Sequence, residues 1–308
     1  MPKSVKREMI LIKIETVQGT DAIPTPALDA ILVEDIGWSY AGARMVERNP
    51  VKGTLGKFQS IFAGTLMEMS FKAEIKGSGV LGTPPEIGPA LRACGIGETI
   101  VPVTSVAYSP VSSDHESVTI YYFEDGARYD ILGCMGNPSI NLPVGEVGMV
   151  DFTFTGHVVG PTDVAIPAGT FDAVDPAAIL GGSFSALGFS AVIKSLSLDL
   201  GNEISTPEDF NAADGYSNVF IADRDPAGSF DPEAPLLLAT KDFHDEWKTG
   251  ANGSIETGTI GPATERYALT MPTSYIREIG PADRDGLRAY DIGYGTTGDD
   301  AAFELFFD

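Results

Sequence analysis

The chain has 308 residues, 20 of them basic and 43 acidic, for a formal net charge of −23. Hydrophobic residues at 43% and charged residues at 20% exclude a disordered chain and leave room for two domains, each with its own core. So acidic a balance argues against a nucleic-acid binder, whose affinity comes largely from Lys and Arg displacing counterions.

The predicted elements are mostly strands, and 35 Gly with 21 Pro fit many turns between them. Met9 to Glu15 opens as an apolar run and ends in alternation. Thr65 to Ile75 alternates over nearly its whole length, with Met67, Met69, Phe71, Ala73 and Ile75 on one face, the pattern of a half-buried antiparallel strand. Pro89 to Gly95 places Pro in a first turn and Gly at the end of a short helix. Ser117–Phe123 and Arg128–Leu132 flank Asp125-Gly126, a hairpin turn in which Gly tolerates positive φ. Met149 to Val159 is a further strand. Gly160 to Gly182 reads as a linker, and Pro176 to Ile193 is uncharged but too rich in Pro, Gly and Ser for a membrane span. Beyond it, Val192–Leu200, Val219–Ala222, Arg266–Met271, Leu287–Tyr294 and Ala302–Phe307 have strand character. Thr240 to Gly250 reads as a helix with Thr240 as N-cap, Lys248 near its end, and Phe243 and Trp247 pinning it to a sheet.

The chain carries signs of a tandem duplication. Glu47-Arg48-Asn49-Pro50 reads against Asp223-Arg224-Asp225-Pro226, Arg128-Tyr129 against Arg266-Tyr267, and Gly148-Met149 against Gly286-Leu287, in the same order. Taken literally, the two Arg offsets, 176 and 138, give the first copy 38 residues that the second lacks. The expected division is 1–165 for copy one, 166–189 for a linker and 190–308 for a divergent copy two. Charge is uneven between the halves: 12 basic and 19 acidic residues in 1–165, against 8 and 24 in 166–308.

Chemistry-bearing patterns are sparse. Gly77-Ser78-Gly79-Val80-Leu81-Gly82 matches a dinucleotide-binding spacing, but Thr83-Pro84-Pro85 follows where a helix must open, so a structural loop is expected. Asp223, Asp225 and Asp231 are weak candidates for calcium, because clustered carboxylates suit it; their spacing fails an EF-hand. His115, His157 and His244 stand in unrelated settings without a nucleophile motif, so no catalytic residue, cofactor or enzyme activity is expected. Cys94 and Cys134 are too few for a disulfide framework, and the run Met9 to Ile12 is too short for a secretory signal, which points to a soluble cytoplasmic chain.

The runs Gly77 to Gly95, Tyr108-Ser109-Pro110 and Val118 to Gly136, together with Gly19-Thr20-Asp21 and Val46-Glu47-Arg48, resemble the major tail tube protein of long-tailed bacteriophages over about residues 10–160. Residues 190–308 look like a second such unit. The resemblance implies a mainly-β fold, two sandwich or partial-barrel units each with one short flanking helix, in a structural virion protein. Its subunits would join inner strands into rings and stack the rings through a long loop, with viral DNA passing through an acidic bore without specific binding. Self-association, other tail proteins at the tube ends, no membrane partner, assembly in the host cytoplasm and residence in the virion tail follow. With two units per chain, a trimeric pseudo-hexamer ring is favoured over a hexamer. The alternative class is a calcium-stabilised cell-surface or carbohydrate-binding β-sandwich module. A β-barrel hydrolase, the third class, lacks a nucleophile constellation.

Overall fold

A computed structural model describes residue 3 and residues 6–308. Leu66–Glu74 shows why the sheet forms. Met67, Met69, Phe71, Ala73 and the following Ile75 are buried, while Glu68 and Ser70 on the other face stay exposed. Its neighbour Met149–Asp163 supplies Phe152 and Phe154, whose rings lie 5.4 and 5.8 Å from that of Phe71. From this pair the sheet extends both ways. Glu34–Ala41 lies outside Leu66–Glu74. On the other side follow Ala127–Pro143, Ser195–Asp199, Ala227–Phe230, Leu287–Thr296 and Tyr267–Arg284, each antiparallel to the last. The fold is mainly β, as the periodicity indicated.

The two longest strands each pair with three others. Ala127–Pro143 pairs with Val118–Glu124 in its first part and with Ser195–Asp199 in its last. Between them the register shifts around Gly133, whose φ of +62° suits a residue without a Cβ. Tyr267–Arg284 repeats the device. It pairs early with Gly253–Glu256 and Glu304–Phe307, later with Leu287–Thr296, and shifts register between Ile276 and Glu278. Bending at these points lets the sheet fold over its own apolar face.

The main core draws on residues from end to end, from Ile10 to Phe307. Glu8–Ile14 is apolar without alternation because both its faces are covered. Ile10 and Ile12 enter the main core, whereas Met9 and Leu11 pack with Ala30, Tyr121 and Phe123 in a second cluster.

Two series of elements follow one another in the same order and with the same pairings. In the first, Glu8–Ile14 pairs with Val118–Glu124; in the second, Ser185–Ala186 pairs with Gly253–Glu256. Glu34–Ala41 corresponds to Ser195–Asp199, Leu66–Glu74 to Ala227–Phe230, the helix Gly88–Arg92 to Phe243–Thr249, and the hairpin of Ala127–Pro143 with Met149–Asp163 to that of Tyr267–Arg284 with Leu287–Thr296. The hairpin Ile96–Val101 with Ser105–Pro110 has no counterpart among the described residues, and it is held by the C-terminal strand Glu304–Phe307.

The element order corrects one pairing read from the sequence. Arg224 ends the strand Phe220–Arg224 just before Ala227–Phe230, whereas Arg48 lies in an exposed loop well before Leu66–Glu74. Arg48 and Arg224 are therefore not equivalent, and the 38-residue surplus is not one insertion. Arg128 and Arg266 each grip an aspartate with two hydrogen bonds, Asp130 and Asp308 respectively.

The second helix also differs from expectation at its start. Asp242, not Thr240, is the N-cap: its Oδ1 accepts from the N–H groups of His244 and Asp245 at 3.0 Å each, a shorter reach than Thr240 would have. Phe243 is buried, but Trp247 remains 43% exposed and only donates from Nε1 to the Arg277 carbonyl.

Candidate assembly surface

Eight strands present one continuous polar face. Side chains alternate, and most positions opposite the core are small or polar: Ser70, Thr153, Ser139, Asn141, Ser197 and Ser229 lie along its middle, with Met149 and Tyr275 among the exceptions. Carboxylates stud it from edge to edge, with Glu68, Glu74, Asp151, Asp199, Glu278 and Asp291. The cations on this face are accounted for. Lys72 Nζ donates to Asp35 at 2.9 Å, which raises the lysine above its ordinary range, and Arg277 is held by Asp225. A surface of this chemistry offers a phosphate backbone repulsion rather than binding sites.

Each series carries an excursion between its first two inner strands. The first, residues 42–62, is a loop on the short pair Met45–Val46 and Ile61–Phe62. It holds Arg44, Arg48, Lys52 and Lys57 against Glu47, with Val51 and Leu55 fully exposed and Lys52 Nζ 4.5 Å over the Phe58 ring. The second, residues 202–226, runs through the pair Asn202–Ser205 and Phe220–Arg224 and is acidic, with six carboxylates against Arg224.

The acidic excursion is bound to the first series. Asn202 Nδ2 donates to the carbonyls of Cys94 and Gly136. Arg224 Nη1 donates to the carbonyls of Gly95 and Val111 at 3.3 Å. Asp214 Oδ2 meets His157 Nδ1 at 2.6 Å, and Tyr216 donates to the Gly42 carbonyl at 2.6 Å. Arg44 reaches both Tyr216 and Glu208, each at 3.0 Å.

The calcium candidates are not brought together. Asp225 forms a two-pronged pair with Arg277, and that bond holds its carboxyl below the usual carboxylate range. Asp231 accepts from the N–H groups of Lys194 and Ser195 and pairs with Arg284 at 2.9 Å. Asp223 accepts from the Arg224 N–H. Among the described residues no three His, Cys, Asp or Glu side chains cluster as metal ligands would. His115 Nε2 donates to the Val111 carbonyl, His157 belongs to Asp214, and His244 packs edge-on to Tyr290. Cys94 and Cys134 are free and buried, and burial pushes both thiols well above their ordinary range. The glycine run 77–82 is a loop whose Ser78 hydroxyl bonds the Val80 and Thr83 carbonyls, and Gly77 lies against the backbone of Glu265.

Sequence reasoning missed the strand Glu34–Ala41 and the docking of residues 202–226. Trp38 and Tyr40 stay half exposed, which erases the alternation, and the docking rests on side-chain bonds to carbonyls that no spacing reveals. Among the described residues no helix is long and apolar enough to cross a membrane.

Comparison with curated proteins gives no match. A family model described as phage tail tube protein matches residues 7–295, which spans both series of elements. This chain belongs to the phage tail tube protein family and is a structural component of the virion tail.

Proposed function

We propose that the two series are tandem copies of one tube-wall unit, and that three chains close a ring that would take six single-unit subunits. The carrying observation is the continuous eight-strand sheet, in which two matching sets of four inner strands are joined edge to edge with one polar, acidic face. That face would line the bore, its carboxylates keeping duplex DNA from adhering during passage. The second copy then starts at Ser185, inside the stretch 166–189 expected to be linker, and copy one keeps the boundary near residue 165.

Rings stack into a tube that meets other tail proteins at its ends, and assembly takes place in the host cytoplasm. No catalytic, cofactor or metal role is assigned to any residue. Closure into a barrel suits a chain whose outermost inner strands would otherwise stand as unpaired edges, since such edges invite indiscriminate pairing. Mass per ring tests the stoichiometry. Scanning transmission microscopy of tubes should give three chains per ring; six chains per ring would place the second unit elsewhere, and discrete monomers at all concentrations would remove the tube reading.

A further inference from the structure

The short pair Met45–Val46 and Ile61–Phe62 stands as a sheet of its own, two residues to a strand, with all four side chains exposed and, among the described residues, no third strand beside it. So small a ladder is not stable in water by itself, and the root of the excursion 42–62 needs another support. The tip of the second excursion lies on that root. Glu208 and Tyr216 bridge to each other and close residues 208–216 into a small loop. Tyr216 donates to the Gly42 carbonyl at 2.6 Å and accepts from Arg44 Nε at 3.0 Å, and the Arg44 guanidinium lies 4.1 Å from the centroid of its ring. Glu208 pairs with Arg44 Nη2 at 3.0 Å. On the returning side Gly64, with φ of +109°, comes so close to the Asp214 carbonyl that a Cβ there would overlap it. The loop is itself anchored, by Asp214 to His157 on Met149–Asp163 and by Gln18, which donates to the Val219 carbonyl.

We propose that residues 208–216 are a collar: the second excursion is turned inward to hold the first as a formed arm, and does not itself reach a neighbouring chain. The inference rests on the tube-wall reading only for what the arm meets. The two excursions hold matching places in the two series, yet they are unlike. One is basic with its apolar tips Val51 and Leu55 fully exposed, and the other is acidic and bound at several points within its own chain. Opposite charge suits a loop that must seat against Arg44 and no other surface. An arm whose root is already ordered loses less conformational freedom on contact, so the collar favours whatever contact the arm makes. Arg44, Gly64, Asp214 and Tyr216 are then positioning residues for the arm.

The test uses unassembled chains. The N–H groups of Arg44 and Ala63 bond across the root, to the carbonyls of Gly64 and Arg44. In Tyr216→Phe and in Arg44→Gln their amide exchange should quicken about tenfold, the loss expected for one hydrogen bond to a charged group. Exchange in Leu66–Glu74 should stay slow in both, which separates release of the root from general unfolding. Unchanged exchange at the root in Arg44→Gln/Tyr216→Phe overturns the collar. Phe210 is fully exposed on the loop and takes no part in these grips, so Phe210→Ser should leave root exchange and the concentration needed for assembly as in the native chain. A raised assembly threshold for Phe210→Ser would show the second excursion meeting a neighbour and overturn its inward role. A native chain that never forms tubes would remove the tube-wall reading alone, while root exchange still decides the collar.

Discussion

Asn202 reaches back across the junction between the two series to Cys94, its Nδ2 donating to the Cys94 carbonyl at 2.7 Å and also to Gly136 at 2.9 Å. Its own N–H donates to Asn137 Oδ1, and Asn137 in turn donates to Asp199. One side chain thus satisfies carbonyls at the end of the first helix and in the longest strand of the first series. Asn202→Leu should strand both, at a cost of about 1–3 kcal/mol for each carbonyl that water cannot reach. Asn202→Asp should cost more, since a carboxylate would face two carbonyl oxygens. Urea unfolding midpoints read both changes, and a native-like midpoint for Asn202→Asp would deny the amide its bridging role.

A second prediction concerns Gly228, at the centre of Ala227–Phe230. Its α-carbon sits between Ser197 and Tyr294, and a Cβ there would overlap the Ser197 carbonyl oxygen and crowd the Tyr294 ring. Tyr294 uses its hydroxyl to donate to that same carbonyl at 2.7 Å. Gly228→Val should therefore force apart three central strands, costing more than the ~1–3 kcal/mol typical of an overfilled core. The measurement is thermal unfolding; a midpoint within a few degrees of native would mean that the strands can yield.

These residues also show how far the sequence could be read. Thr65 to Ile75 was legible because burial on one face produces strict alternation, and the Asp125-Gly126 turn because positive φ selects its residues. Ala227–Phe230 was invisible: two of its four residues are Gly and Ser, and its place comes from close approach to Ser197 and Tyr294, not from apolar pattern. The match of Arg48 to Arg224 misled because two turns can share Arg and Pro without sharing a place in the fold. The Asp-Arg-Asp spacing said nothing of Arg277 and Arg284, which come from a strand some fifty residues on and take up Asp225 and Asp231.

Those two pairs yield a third prediction. With Asp225 engaged by Arg277 and Asp231 by Arg284 and two N–H groups, calcium would have to displace cations already seated. Calcium or a chelator should leave the unfolding temperature unchanged. A site saturated a hundredfold over its dissociation constant would instead add about 2.7 kcal/mol, a shift that calorimetry resolves easily. Such a shift would mean that calcium displaces Arg277 or Arg284 from these carboxylates.

The final prediction is the response to acid, and it turns on Asp214. Burial by itself would raise this carboxyl, but the hydrogen bond to His157 and the N–H of Tyr216 outweigh it and bring the group below the usual aspartate range. A carboxyl depressed in the folded state favours folding at every pH above its unfolded value, near 4. That contribution is lost as pH falls through the lower, folded value. Native stability from this pair should thus hold from neutrality down to about pH 4 and decline below it. Asp214→Asn should lower stability at neutral pH and flatten the acid limb, because the amide binds no proton in this range. The same substitution loosens residues 206–219 from Met149–Asp163, so amide exchange in that excursion should quicken at pH 7 while exchange in Leu66–Glu74 stays slow. An acid limb identical in the native and Asp214→Asn proteins would show that other carboxylates govern it.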